Sequence, residues 1–287
     1  MSLPPIEIRD PADPRLADYG RLKERHLNAE GGRFVAESER VVRRLVGSGL
    51  TVHSVLLTPP RLATLADALA GPYPVFVAAQ ALLDEIAGFH VHRGCLAIGE
   101  RPAPAALPPG ARAVVALEDL TDVDNLGALA RHAAAFGADA LLLSPRCADP
   151  FYRKAIRVSL GAVFGLPVVR AREWPGALEA LRADGVAIAR GSAELRSASP
   201  NAGGIGDTPR VPMTIVGAVV GPGATPLARF RPPARFALLL GAEGPGLSAA
   251  ARACCDHLVT IPMSPGADSL NVATAGAIFL YALTRSP

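Results

Sequence analysis

Leu238-Leu239-Leu240-Gly241-Ala242-Glu243-Gly244-Pro245-Gly246-Leu247-Ser248 is the stretch on which the reading of the fold turns. Its apolar run has the character of a strand buried on both faces, and it passes directly into a turn with three glycines. A helix is expected to begin near Ser248. Glycine lets the backbone adopt positive φ and pass close to a ligand. The spacing is GxxGxG, however, not the GxGxxG of dinucleotide sites, and no acid follows at the usual distance. The absence of GK[ST] removes a P-loop as well. A tight turn without a ligand stays open at this point.

Outward from that stretch, short apolar runs recur at 113–117, 140–143, 186–189 and 258–261, with helical spacing at 126–136, 152–160 and 177–181. Strands alternating with helices predict an α/β domain with a parallel sheet. Residues 192–233 interrupt the rhythm with many glycines and prolines and one strand-like run, 213–220, and are expected to form a long surface excursion. Upstream, 101–110 (RPAPAALPPG) follows neither structural period and reads as a linker. Before it, strands are expected at 34–36, 52–57 and 75–78, with helices at 39–46 and 61–69, a second and smaller α/β unit. The division is therefore 1–100, linker 101–110 and 111–287.

Half of the 287 residues are apolar, enough for two cores, and the net charge of +3 excludes a chain-wide polycation. Any nucleic-acid surface must be a local patch. The cysteines, at 95, 147, 254 and 255, form neither a disulfide framework nor a CxxC pair. Cys254, Cys255 and His257 read as the end of a helix rather than as a metal site, and no metal is expected. The first residues lack the apolar core of a signal peptide, and the longest apolar stretch, 272–283, is too short to span a bilayer. The expectation is a cytoplasmic protein without membrane contact.

Two further constellations flank the glycine turn. Glu118-Asp119-Leu120-Thr121-Asp122-Val123-Asp124-Asn125-Leu126-Gly127, leading to Arg131, follows the strand 113–117, at the edge where open α/β sheets bind ligands. Asp124 or Asn125 is expected to cap the next helix, and Arg131 to lie in its first two turns, where it could hold a phosphate. Ile261-Pro262-Met263-Ser264-Pro265-Gly266-Ala267-Asp268-Ser269-Leu270-Asn271-Val272 enters the last helix, with Ser269 or Asn271 available as its cap. That helix is apolar on nearly every face, so it must be buried by its own domain and by a second subunit.

Taken in order, Asn125-Leu126-Gly127…Arg131, Gly241-Ala242-Glu243-Gly244-Pro245-Gly246 and Ile261-Pro262-Met263…Ser269-Leu270-Asn271-Val272 resemble the three motifs of SpoU/TrmH methyltransferases of the SPOUT superfamily. Phe34-Val35-Ala36-Glu37 with Arg40-Val41-Val42 is similar to the L30e-like RNA-binding domain that often precedes them. The resemblance implies a deep C-terminal trefoil knot, an exception to the rule that chains do not knot. It also implies a homodimer, and S-adenosylmethionine held by Leu240, Gly241, Gly246, Ile261, Met263 and Leu270. The implied reaction is attack of a ribose 2′-hydroxyl on the cofactor's methyl, with Asn125, Arg131, Glu243, Ser269 and Asn271 as the catalytic set. Arg131 is the family's candidate for activating the hydroxyl, and is expected to act as a phosphate clamp first and as a base only second, since a guanidinium stays protonated. Arg15, Arg25, Arg33 and Arg40 are the candidate RNA contacts, and ribosomal RNA is preferred to tRNA. Thr121-Asp122-Val123-Asp124 departs from the family's Asp-Pro-Gly run, and Ala273 stands where serine is common. The rival readings are a tRNA 2′-O-methyltransferase, a base-nitrogen methyltransferase and a non-catalytic RNA-binding protein of the same fold.

Overall fold

The computed structural model describes residues 3–20, 32–182 and 212–285. Arg25, the expected strand 186–189 and the first part of the 192–233 excursion lie outside the described residues. In chain order the strands are β1 Ile6–Glu7, β2 Arg33–Glu37, β3 Val52–Leu57, β4 Val75–Val77, β5 Cys95–Glu100, β6 Ala113–Leu117, β7 Ala140–Leu143, β8 Val168–Arg170, β9 Thr214–Ala218, β10 Thr225–Pro226, β11 Phe236–Leu240 and β12 His257–Thr260. The helices of five residues or more are α1 Glu39–Val46, α2 Pro59–Leu65, α3 Gln80–Ala87, α4 Val123–Ala135, α5 Arg153–Val158, α6 Gly176–Arg182, α7 Ala249–Ala253 and α8 Val272–Thr284. No helix among the described residues is long and apolar enough to cross a membrane.

Two compact units result: Met1–Ala103 with Asp149–Gly165, and Pro104–Ala148 with Leu166–Pro287. The first holds a five-stranded mixed sheet in the order β1-β4-β3-β5-β2, with β5 antiparallel to both its neighbours. Its core gathers Leu16, Tyr19, Val35, Leu56, Phe76, Leu83, Leu96 and Ile98. The buried Tyr19 hydroxyl pairs with Ser54 Oγ at 2.7 Å, and its burial pushes its pKa up.

The sequence reading keeps 111–287 together, yet Asp149–Gly165 packs with the first unit. Aromatic packing explains the difference. Phe34 on β2 meets the rings of Phe151 and Phe164 at centroid distances of 5.4 and 5.2 Å. Its own ring lies over Gly99, where an added Cβ would come within 2.4 Å of it. The linker is also shorter than read, because Leu107 is buried in the core of the second unit.

The second unit contains an all-parallel sheet in the order β10-β12-β9-β11-β6-β7-β8. Alternation along the strands sends Val115, Leu117, Leu141, Leu238 and Leu240 to one face, where Leu126, Leu129 and Ala130 of α4 and Phe279 and Leu280 of α8 cover them. Val114, Ala116, Leu142, Ala237 and Leu239 point to the other face, beneath Leu178 and Leu181 of α6 and Ala251 of α7. Both faces are covered, which is why these runs read as continuously apolar. Helices α4 and α8 approach closely at Gly276, where an added Cβ would meet Leu129 Cδ2 at 2.3 Å. Within the chain α8 buries only one side, and Ile278 and Tyr281 stay 39% and 49% exposed.

Candidate active site

The sequence motifs meet at the carboxyl edge of the second sheet. Strands β6 and β11 pair in register up to Leu117 and Leu240, and Glu118 N–H donates to the Leu240 carbonyl at 2.9 Å. Parallel strands that end together set their following loops side by side, the usual place for a ligand.

The loop after β6 folds differently from the sequence expectation. Asp122, not Asp124 or Asn125, caps α4 by accepting from Asn125 N–H at 2.8 Å. The Asn125 side chain is thereby free of capping, buried and turned into the site. Its Nδ2 donates to Glu243 Oε1 at 2.7 Å, and its Oδ1 accepts from Asn271 Nδ2 at 2.8 Å. Asn271 Nδ2 also lies 3.0 Å from Glu243 Oε1, while Asn271 Oδ1 caps α8 by accepting from the N–H groups of Ala273 and Thr274. One residue from each motif therefore closes a single hydrogen-bonded cluster. Asp119, which takes positive φ just upstream, is held by Arg146 and Ser144, and the Arg146 bond keeps its carboxyl below the usual range.

The glycine turn is pinned at both ends. Gly246 N–H donates to the Ala242 carbonyl at 3.0 Å, folding the loop so tightly that a Cβ on Gly241 would sit 2.3 Å from the Gly246 carbonyl carbon. Gly244 and Gly246 take φ of +85° and +67°. Downstream, the buried Glu118 carboxylate accepts from Ser248 N–H at 2.8 Å, Ser248 Oγ at 2.7 Å and Trp174 Nε1 at 2.8 Å. Ser248 Oγ in turn caps α7 through Ala251 N–H. Glu118 carries no sequence signal for this role, because no local pattern could reveal partners 56 and 130 residues away.

Between these loops lies a cavity of about 520 Å³. Leu240, Gly241, Gly246, Ile261, Met263 and Leu270, the expected cofactor residues, all line it, as do Glu243, Ser269 and Asn271. The reading missed Val219 and Val220 beyond β9, Arg252 on α7, Asp268, and Phe279 on α8. For Val219 and Val220 the signal was present, since they follow another parallel strand at its carboxyl end.

The model of the SpoU rRNA methylase family matches residues 112–281, which contain every part of this site. The chain belongs to that family. It is 38% identical, over 98% of its own length and 92% of the relative's, to an uncharacterized tRNA/rRNA methyltransferase of Mycobacterium bovis. A counterpart in Mycobacterium tuberculosis matches at the same identity and coverage. Among solved structures, an AdoMet-bound rRNA methyltransferase from Sinorhizobium meliloti shares the fold over 97% of both chains, with a TM-score of 0.73 at 23% identity. The SpoU methyltransferase AviRb from Streptomyces viridochromogenes, in complex with AdoMet, gives a TM-score of 0.73 at 25% identity over 95% of this chain and 97% of that one.

Not every expected residue of this SpoU methylase joins the cluster. Because α4 starts at Val123, Arg131 is in its third turn, exposed and outside the cavity lining, and its side chain makes no hydrogen bond or ion pair among the described residues. It lies roughly 9 Å along the helix from Asn125. Its neighbour His132 points the other way, with Nδ1 at 3.1 Å from the Ala273 carbonyl, and burial holds its pKa below the ordinary value. Cys254 closes α7 and Cys255 packs beneath Gly217, burial pushing its thiol up to about 11. Of the expected RNA contacts, Arg15 is paired with Asp13 and Arg33 with Asp18, so their charge is already spent locally. Arg40 is exposed on α1.

Proposed function

We propose that this SpoU methylase transfers a methyl group from S-adenosylmethionine to a ribose 2′-hydroxyl, and that its substrate is ribosomal RNA. The observation that carries the reading is the Asn125–Glu243–Asn271 cluster at the wall of the cavity. The residues present fit the cofactor: about 520 Å³ of space, apolar walls from Leu240, Ile261 and Phe279, and a glycine turn that exposes backbone. When bound, the cofactor supplies a methyl group on a sulfonium centre.

The chain's own task is orientation and charge. Asn125 and Asn271 occupy Glu243 Oε1 with two amide donors, which fixes the carboxylate plane and leaves Oε2 to accept from the incoming hydroxyl. Ser269 lines the same cavity and adds a hydroxyl to its wall. In-line placement of this kind is worth a large part of a bimolecular barrier. Arg131 holds the adjoining phosphate as a permanent cation. The exposed Ile278 and Tyr281 support a homodimer through α8, since a second copy would cover them.

The deep knot, the L30e-like character of the first unit and a cytoplasmic site of action belong to the same reading. The out-of-sequence order β12-β9-β11-β6 supports the knot. The test is transfer from radiolabelled S-adenosylmethionine to ribosomal RNA and to a substrate carrying a 2′-deoxy nucleotide at the mapped position. The expected result is methylation of the first and none of the second. Continued methylation of the deoxy substrate would transfer the reading to a base atom, and preference for tRNA transcripts would replace the ribosomal one.

A further inference from the structure

The acids of the first unit are not shared evenly among its arginines, and three of those left without a carboxylate stand on neighbouring elements. Glu7, Asp13 and Asp18 pair with Arg9, Arg15 and Arg33. On and around α1, Glu39 takes Arg61 at 2.9 Å and Arg43 at 3.9 Å, Asp67 takes Arg43 at 2.5 Å, and Glu37 takes Arg153 at 3.7 Å. Arg40, Arg44 and Arg157, all exposed, have no carboxylate among the described residues.

Packing brings these three together, although 113 residues separate Arg44 from Arg157 in the chain. Arg40 and Arg44 stand four apart on α1, hence on one face. Arg44 Nη1 donates to the Leu160 carbonyl at 3.0 Å, and Leu160 N–H donates to the Arg157 carbonyl at 3.0 Å, so Arg44 and Arg157 flank a single turn. Both α1 and α5 pack against β2, the edge strand, with Phe34 fastening the second segment down. The exposed Lys154 extends the same face of α5, three residues before Arg157.

We infer that Arg40, Arg44 and Arg157, with Lys154 beside them, form a phosphate-binding surface for RNA, completed by a segment that the chain sends out between β7 and β8. Arginines of this kind, clustered and unpaired with carboxylates as these three are, neutralise successive backbone phosphates and release counterions without reading bases. The inference rests on the RNA-directed reading above. It differs from the sequence expectation, because Arg15 and Arg33 drop out and Arg44 and Arg157 enter.

The test compares the full-length protein with two charge-matched triple variants, using a fluorescein-labelled single-stranded oligouridylate titrated at several salt concentrations. Replacing Arg40, Arg44 and Arg157 with Gln should lower the log–log salt slope by about 2, at ~0.7 per lost phosphate contact. Extrapolated to ~0.1 M salt, that is about a 100-fold loss of affinity. Replacing Arg9, Arg15 and Arg33 with Gln removes the same charge from paired positions and should change affinity by about threefold or less. Affinity for S-adenosylmethionine, measured by calorimetry, should be equal in all three proteins and verifies that each is folded. Equal losses in the two variants would reduce the effect to overall charge and overturn the surface. If the unaltered protein binds RNA and the Arg40/Arg44/Arg157 variant matches it, the surface fails alone. If the unaltered protein binds no RNA, the functional reading falls and takes the surface with it.

Discussion

Glu118 gives the sharpest quantitative test of how the glycine turn is held. Its buried carboxylate accepts three hydrogen bonds, two from Ser248 and one from Trp174. A hydrogen bond to a charged acceptor contributes about 1.5–3 kcal/mol, so three deleted together amount to at least about 4 kcal/mol. Water entering the vacated space returns part of that, and Glu118→Ala is expected to lower unfolding stability by about 3–4 kcal/mol. The single deletions should be graded below it. Ser248→Ala keeps the backbone bond and loses the hydroxyl and the α7 cap, about 1–2 kcal/mol. Trp174→Phe loses one donor, about 1.5 kcal/mol. The sum of those two should differ from the Glu118 value, since all three share one acceptor. Trp174 is the chain's only tryptophan, so its fluorescence follows unfolding in urea for Glu118→Ala and Ser248→Ala, with circular dichroism used for Trp174→Phe. Calorimetry with S-adenosylmethionine should show weaker binding in the same order, because Ser248 ends the loop that forms the cavity wall. If Glu118→Ala unfolds within 0.5 kcal/mol of the unaltered protein and binds the cofactor equally well, the carboxylate does not hold the turn and the reasoning is refuted.

Arg131→Ala should reduce turnover by about 100-fold or more while leaving S-adenosylmethionine affinity and stability nearly unchanged, as expected of an exposed helical residue outside the cavity; near-normal turnover would remove it from the site. His132, whose folded pKa is depressed by burial, favours its neutral form, so the unfolded chain binds the extra proton first as pH falls. Stability should therefore decline as pH drops below about 6.5 towards the lower folded value, and His132→Asn should flatten that limb of the denaturation profile. A slope that is the same in both proteins would assign the decline to other groups. Tyr281→Glu should leave the folded chain's stability within about 0.5 kcal/mol yet shift sedimentation from dimer to monomer, because Tyr281 is half-exposed within one chain. A dimer that survives the substitution, or an unaltered protein that sediments as a monomer, would remove α8 from the interface.

Much of the second sheet is legible in the sequence because its strands are buried on both faces. The runs at 113–117 and 140–143 coincide with β6 and β7, the Leu238–Leu240 run is the end of β11, and 258–261 is one residue from β12. The elements that escaped notice have weaker patterns for identifiable reasons. Strand β5 carries Gly99, present to admit the Phe34 ring, and glycine argues against a strand when only local propensity is read. Strand β8 spans only Val168–Arg170 and follows Pro167, too short for any period to register. The attachment of Asp149–Gly165 to the first unit depends on aromatic contacts 117 and 130 residues apart in the chain, a distance at which periodicity carries no information.

Several residues that line the cavity were legible in the sequence, but their hydrogen bonding was not, and the capping of α4 explains why. Asp122, Asp124 and Asn125 are all residue types that cap helices well, so composition cannot choose among them. The choice has chemical consequences. A cap at Asn125 would commit its side-chain oxygen to backbone N–H groups of its own helix. With Asp122 as the cap, that oxygen accepts from Asn271 and the amide nitrogen donates to Glu243. Asn271 does cap its helix, but only with Oδ1, and its Nδ2 remains to complete the ring of contacts. An amide that must donate and accept at once can satisfy both roles only when oriented one way, and neither aspartate nor alanine could replace either asparagine without leaving Glu243 short of a donor. The same shift of start moves Arg131 from the second turn of α4 to the third and out onto the exposed surface. One capping choice thus sorts the first motif into a buried hydrogen-bonding amide and an exposed cation, the two kinds of group that a ribose hydroxyl and its neighbouring phosphate require.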